Sequence, residues 1–232
     1  MVKLAKKVPV TTWSSDDPMS TRPKAKTLLI LVIGLWIFGT GDAVIIAAGL
    51  GVAPWTVLAQ GIGNQLNWTI GEATFFISVV VLFLWIPIKE KPGIGTILNA
   101  ILIAAAIDIM EPNLPHPQDP LFQTIQVLVG TILVGVGSGF YLTANLGPGP
   151  RDGWMTGIQR ITNVPIGRVR TSIEVMVLII GWRLGGIFGV GTIIFAICIG
   201  PIVALFLQLT GNIWGIDDLK NQPKDLAAPE KL

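Results

Sequence analysis

Of the 16 Lys and Arg residues in this chain of 232, all but Arg183 fall on one side of a bilayer that the sequence crosses six times. Lys3, Lys6, Lys7, Arg22, Lys24 and Lys26 precede the first apolar run, and Lys89 and Lys91 follow the second. Arg151, Arg160, Arg168 and Arg170 follow the fourth, and Lys220, Lys224 and Lys231 close the chain. Cytoplasmic loops collect Lys and Arg, so the bias predicts orientation as well as class: a multi-pass protein of the cytoplasmic (inner) membrane with both termini cytoplasmic.

The apolar runs are residues 27–49, 70–88, 93–110, 121–146, 169–183 and 187–210. Most reach the roughly 17 to 25 residues that a helix needs to span hydrocarbon. The fifth is short unless residues 166–170 form its first turn. Apolar residues make up 51% of the chain and charged residues 13%, about half the charged share of soluble domains. The net charge of +2 therefore reflects topology, and no nucleic-acid partner is expected.

Cys198 is the single cysteine and His116 the single histidine, which excludes a disulfide framework, a Cys-based metal site and a two-His site. No nucleophile elbow, HExxH or phosphate-binding loop is present. No enzyme activity, metal or cofactor is expected. The 26-residue polar leader is too long for the n-region of a signal peptide. Residues 1–26 and 211–232 read as disordered cytoplasmic tails.

A shift of 96 residues lays Gly34 on Gly130 and continues without a gap to Ala105 on Pro201. About 23 of the 72 pairs are identical, eight of them Gly. The Leu50-Gly51-x-x-Pro54 piece repeats as Leu146-Gly147-x-x-Pro150, and Gly93-x-Gly95-Thr96-Ile97 as Gly189-x-Gly191-Thr192-Ile193. The expected fold is all-α, with six transmembrane helices as two three-helix repeats over 27–110 and 121–210, joined by an external linker over 111–120. Three crossings per half force opposite orientations, an architecture recurrent in transporters. Each half also holds a short element, residues 54–67 and 150–163, too short to span. These read as interfacial or re-entrant helices that open on a Pro at the first helical position. Counting them as spans would make the repeats parallel and move Lys89 and Lys91 outside, against the charge rule.

Several pieces resemble the YczE branch of the YczE/YyaS/YitT group of bacterial membrane proteins. They are Leu50-Gly51-Val52-Ala53-Pro54-Trp55, Pro92-Gly93-Ile94-Gly95-Thr96, Leu146-Gly147-Pro148-Gly149-Pro150-Arg151-Asp152-Gly153, Gly167-Arg168-Val169-Arg170 and the stretch from Gly185 to Thr192. Thr56 stands where the family pattern has an Asp after Pro-Trp. The resemblance implies a bacterial inner-membrane protein without a settled biochemical activity.

Asp42 is the sharpest candidate for chemistry. A carboxylate inside an apolar run costs roughly 2.5 to 3.5 kcal/mol to insert, so it should face protein or water. It reads as a proton, cation or substrate contact, or as a cap near the interface. Its partner in the repeat is Ser138. The turns before Pro54-Trp55 and Pro150 aim fresh helix N-termini at the protein, where unpaired N–H groups favour anions. Arg151 and Asp152 suit a carboxylate or phosphate, or a plain ion pair near head groups. Arg170 and Glu174 stand four residues apart and suit a self-neutralising pair, or a role in gating or in gripping an anion together with Arg168. Thr69-x-x-Glu72 reads as a capping box. Gln60, Asn64 and Asn67 share one helix face, wet or pore-lining. Trp55, Trp68, Trp85 and Trp182 are expected near membrane interfaces. Gly135-x-Gly137-x-Gly139 suits close packing within one chain or in a homodimer.

These features predict a secondary transporter or permease for a small polar or anionic solute. The alternative is a non-transporting scaffold or regulatory partner of another protein.

Overall fold

The computed structural model describes residues 8–216, and its secondary structure there is helical apart from one isolated bridge between Thr11 and Gly215. Lys3, Lys6, Lys7, Lys220, Lys224 and Lys231 lie outside the described residues. The helices are α1 (Ala25–Ala48), α2 (Pro54–Leu66), α3 (Ile70–Phe83), α4 (Trp85–Ile88), α5 (Ile94–Met110), α6 (Pro120–Ala144), α7 (Pro150–Thr162), α8 (Ile166–Arg183) and α9 (Val190–Trp214). Five segments are long and apolar enough to cross a membrane: α1, the α3–α4 pair, α5, α6 and α9. The sixth expected span, α8, has 18 residues but carries Arg168, Arg170, Glu174 and Arg183, too polar to count with the others.

Local sequence sets the boundaries. The Thr69–Glu72 capping box is present at the start of α3. Pro54 and Pro150 stand in the first turns of α2 and α7. Both helices end on an Asn in the left-handed region, Asn67 at φ 56° and Asn163 at φ 54°.

The centre of the fold is α1 against α6, and these helices run antiparallel. A Cβ on Gly34 would meet the Gly137 carbonyl at 3.0 Å, and one on Gly41 would meet that of Gly130 at 2.7 Å. The same 96-residue shift exchanges the two contacts. Small residues here let the backbones approach closely. Gly135 and Gly139 pack on Ile202 and Phe206 of α9, so the whole small-residue run is used inside the chain. We call the end where α1 begins and α6 finishes the leader end, and the opposite one the linker end.

Each Leu-Gly turn docks on the other half. The Gly191 N–H donates to the Leu50 carbonyl at 2.8 Å, and the Gly95 N–H to that of Leu146 at 2.7 Å. Gly51 and Gly147 have φ of 110° and 103°, and a Cβ on either would strike Thr192 or Thr96. Only Gly meets both demands. The Thr96 hydroxyl also donates to the Pro148 carbonyl at 2.7 Å. Thr96→Val should lower stability by about 1 kcal/mol, read as a shift in the thermal midpoint in detergent.

The leader is not free from residue 8 onward. Trp13 is 3% exposed, its indole N–H donates to Thr143, and its ring lies 5.3 Å from that of Trp214. Thr27 donates to the Trp13 carbonyl, and the Ser15 N–H to that of Ala144. The segment thus straps α1, α6 and α9 together at the leader end, and α9 itself continues past residue 211, four residues beyond the expected span. Trp13→Phe loses the hydrogen bond and leaves a gap where the larger ring packed, a cost of about 2 kcal/mol or more in the same assay.

The halves differ in one respect. Helix α5 packs along α3, with Gly71 on Ala104 and Asp108. The corresponding helix α9 packs on α6 but not along α8. Gly167 and Gly200 correspond to Gly71 and Ala104, and a Cβ on either would have no neighbour within 4 Å. Helix α9 carries Pro201 in its interior, where α5 has Ala105. Proline cannot donate to the preceding turn, which loosens α9 beside the gap.

Candidate functional site

Asp42, Ser138, Pro54, Trp55, Arg151, Asp152, Arg170 and Glu174 all line one cavity of about 310 Å³. Pro150 is buried but faces elsewhere, and its carbonyl accepts the Trp85 indole N–H at 2.9 Å. That bond fixes where α7 begins. The centre of the α1–α6 crossing lies midway between Gly34 and Gly41. At a rise of 1.5 Å per residue, Asp42 stands about 7 Å to the linker side and Ser138 about 7 Å to the leader side. The cavity therefore spans the middle of the bundle.

Its charges sort into spent and unspent. Asp152 accepts the Tyr141 hydroxyl at 2.9 Å. Arg170 Nε donates to Glu174 at 2.9 Å, as the i,i+4 spacing predicts. Ser138 donates to the Val134 carbonyl one turn back. The Tyr141 hydroxyl leaves the Asp152 charge in place beside Arg151, and Asp42 and Arg151 themselves have no hydrogen-bonding partner among the described residues. Asp42 is 4% exposed, and its carboxylate has no hydrogen bond and no cation within 4 Å among the described residues. The Arg151 guanidinium lies over the Trp55 ring at 5.1 Å, with no carboxylate within salt-bridge distance. The two act on each other only across the cavity.

Both short helices bring their N-termini here, through Pro54 and Trp55 of α2 and Arg151 and Asp152 of α7, and neither first turn has a side-chain cap. A guanidinium fork beside two uncapped N-termini is chemistry for an oxyanion. A carboxylate without a partner suits a proton, a cation or a polar donor on the guest. Among the described residues no cluster of three His, Cys, Asp or Glu side chains is placed to hold a metal.

Other expected residues lie elsewhere. Gln60 accepts the Ile187 N–H and Asn64 donates to the Gly185 carbonyl, so this face of α2 is fastened to the α8–α9 turn; Gln60 is buried, Asn64 and Asn67 are exposed, and none of the three lines the cavity. Trp55 and Trp85 are buried, one under Arg151 and one against α7. Trp68 and Trp182 are 40% and 57% exposed. His116 pairs with Glu111 at 3.0 Å. Tyr141, Asn99, Thr74 and Ser78 line the cavity without having been expected there. Tyr141 is the only tyrosine in the chain, and its place inside an apolar run was the available signal.

Residues 25–208 match the model of a family described as a family of unknown function, DUF6198. An uncharacterized Haemophilus influenzae protein is 41% identical over 92% of this chain and 97% of its own length. The uncharacterized membrane protein YczE of Bacillus subtilis is 32% identical over 78% of this chain and 81% of its own. YyaS of the same organism is 26% identical over 74% and 87%. No solved structure matches. With its apolar helices and a matched span that takes in every stretch lining the cavity, the chain belongs to the DUF6198 family, and its own relatives include the membrane protein YczE.

Proposed function

We propose that this protein is a secondary transporter or permease that carries a small anionic or polar solute across the bacterial cytoplasmic membrane. The observation that carries the reading is one buried carboxylate and one guanidinium, Asp42 and Arg151, both unpaired on a cavity at the middle of the bundle. Unpaired charge in a membrane interior is costly and marks pathways.

In this reading the six crossings form two inverted repeats, with α8 as the sixth. Support comes from the antiparallel α1 and α6, their exchanged Gly34–Gly137 and Gly41–Gly130 contacts, and the crosswise docking of the Leu-Gly turns. The Lys and Arg bias makes the leader end cytoplasmic. Broken-helix termini at the repeat interface are where such transporters hold their cargo. With α3 closed on α5 and α8 apart from α9, the proposed state faces the cytoplasm.

The test is flux in proteoliposomes with an acidified exterior across a panel of anions and polar solutes. Uptake that needs Asp42 and Arg151 supports the reading. Absence of flux for the whole panel, from folded protein, removes it. Asp42→Asn should leave binding of the cargo in place while uncoupling its uptake from the proton gradient, seen as loss of the response to exterior pH.

A further inference from the structure

The cavity has two unlike walls. One carries Asp42, Arg151, Asp152, Arg170 and Glu174. The other is α9, which offers Phe195, Ile199, Val203 and Leu207. A solute that is polar all round gains nothing from such a wall. The same helix turns Ile193 and Ile197, 51% and 68% exposed, away from the bundle. In a membrane that face meets hydrocarbon.

Between α8 and α9 lies the gap at Gly167 and Gly200, open where the matching α3–α5 seam is shut. Gly200 itself lines the cavity. A path from the charged wall across Gly200 to the lipid is therefore apolar along α9. A hydrocarbon chain lying in it exchanges one apolar surrounding for another. A wholly polar solute on that path gives up its water without recompense.

Size points the same way. About 310 Å³ holds on the order of ten water-sized groups, enough for a small head group and too little for a long chain. Charge limits the head group to one anionic site, because Arg170 is already paired with Glu174 and Arg151 is, among the described residues, the one guanidinium on the cavity without a salt bridge.

We propose that the anion held by Arg151 is the head group of an amphiphile whose hydrocarbon chain leaves through the α8–α9 gap into the membrane. This deepens the transport reading and shares its cavity, but asks only for binding.

The experiment is native mass spectrometry of the full chain with three probes: a lysophosphatidic acid, a lysophosphatidylcholine of the same chain, and glycerol 3-phosphate. The lysophosphatidic acid is expected to bind about tenfold or more tighter than either other probe. Arg151→Gln should weaken it about tenfold, and Gly200→Leu, which fills the gap, by a similar factor. A thermal midpoint near that of the unmodified protein shows that each variant is folded. Equal binding of glycerol 3-phosphate overturns the proposal in favour of a soluble anion. Equal binding of the lysophosphatidylcholine overturns it in favour of chain adsorption to the surface. Lysophosphatidic acid binding without flux of any solute would uphold this inference and count against transport. Flux of a soluble anion that lysophosphatidic acid does not inhibit would do the opposite.

Discussion

Arg151→Gln is expected to cut uptake of a cargo anion about 10- to 100-fold at low concentration while leaving the protein folded. The size follows from one hydrogen-bonded charge, roughly 1.5 to 3 kcal/mol, at about 1.4 kcal/mol per tenfold. Survival of the fold follows from what Arg151 touches: the Trp55 ring at 5.1 Å and no carboxylate within 4 Å. Removing it breaks no ion pair, because Asp152 is held by Tyr141 and Asp42 meets Arg151 only across the cavity. Arg151→Lys should keep the charge and lose the planar fork, giving an intermediate loss. Initial rates in proteoliposomes, with thermal midpoints as the control, decide it. An unchanged rate would remove Arg151 from the site, and with it the reading of an anion cargo.

Most of the cavity was legible because each piece carries its own local reason. A carboxylate in an apolar run, a Leu-Gly turn before Pro and an Arg at a fresh helix start need no knowledge of tertiary contacts to stand out. Eight of the nine residues singled out this way line the cavity. Pro150 does not, because a helix start has two sides and the sequence could not say that Trp85 would take its carbonyl. Tyr141 escaped notice because its partner, Asp152, comes within reach only once α7 folds back beside α6. The strap at residues 8–16 was hidden for a similar reason. Trp13 sits among Thr, Ser and Asp, a polar neighbourhood that resembles a free tail, and its pocket is made by α6 and α9 more than a hundred residues away. The polarity of α8 was visible, but its charges look ruinous for a span until Arg170 and Glu174 are seen to line the cavity, with Arg168 and Arg183 near the ends of the helix. The α8–α9 gap had no visible signal beyond Gly200-Pro201, where the matching helix has Ala104-Ala105.

The matching pair, α3 and α5, supplies the other large effect. Asp108→Ala is expected to open the linker end. Asp108 accepts the Thr69 hydroxyl at 2.7 Å and the Gly71 N–H at 2.8 Å, so one carboxylate clamps the end of α5 to the start of α3. Its charge also favours the positive end of α3. Ninety-six residues on, the chain has Ala204 in place of Asp108 and Pro165 in place of Thr69. Neither can form the clamp, and there the helices stand apart. On the proposed inverted repeat, the latch belongs to the external gate and the cytoplasmic gate lacks one. Each bond to a carboxylate contributes roughly 1.5 to 3 kcal/mol when buried. This site is partly wet, so water replaces some of that and about 2 kcal/mol remains, or about 30-fold in the gate equilibrium. Ala104→Cys in a Cys198→Ser background reports it, since Ala104 lies under Gly71 and is 6% exposed. An impermeant maleimide added outside intact cells should label that cysteine about 30-fold faster once Asp108 is Ala. Asp108→Asn, which keeps an acceptor, should fall between. Equal rates with and without the carboxylate would show that the α3–α5 seam is fixed packing and does not move, and the α8–α9 gap would then be a permanent opening rather than one side of an alternation.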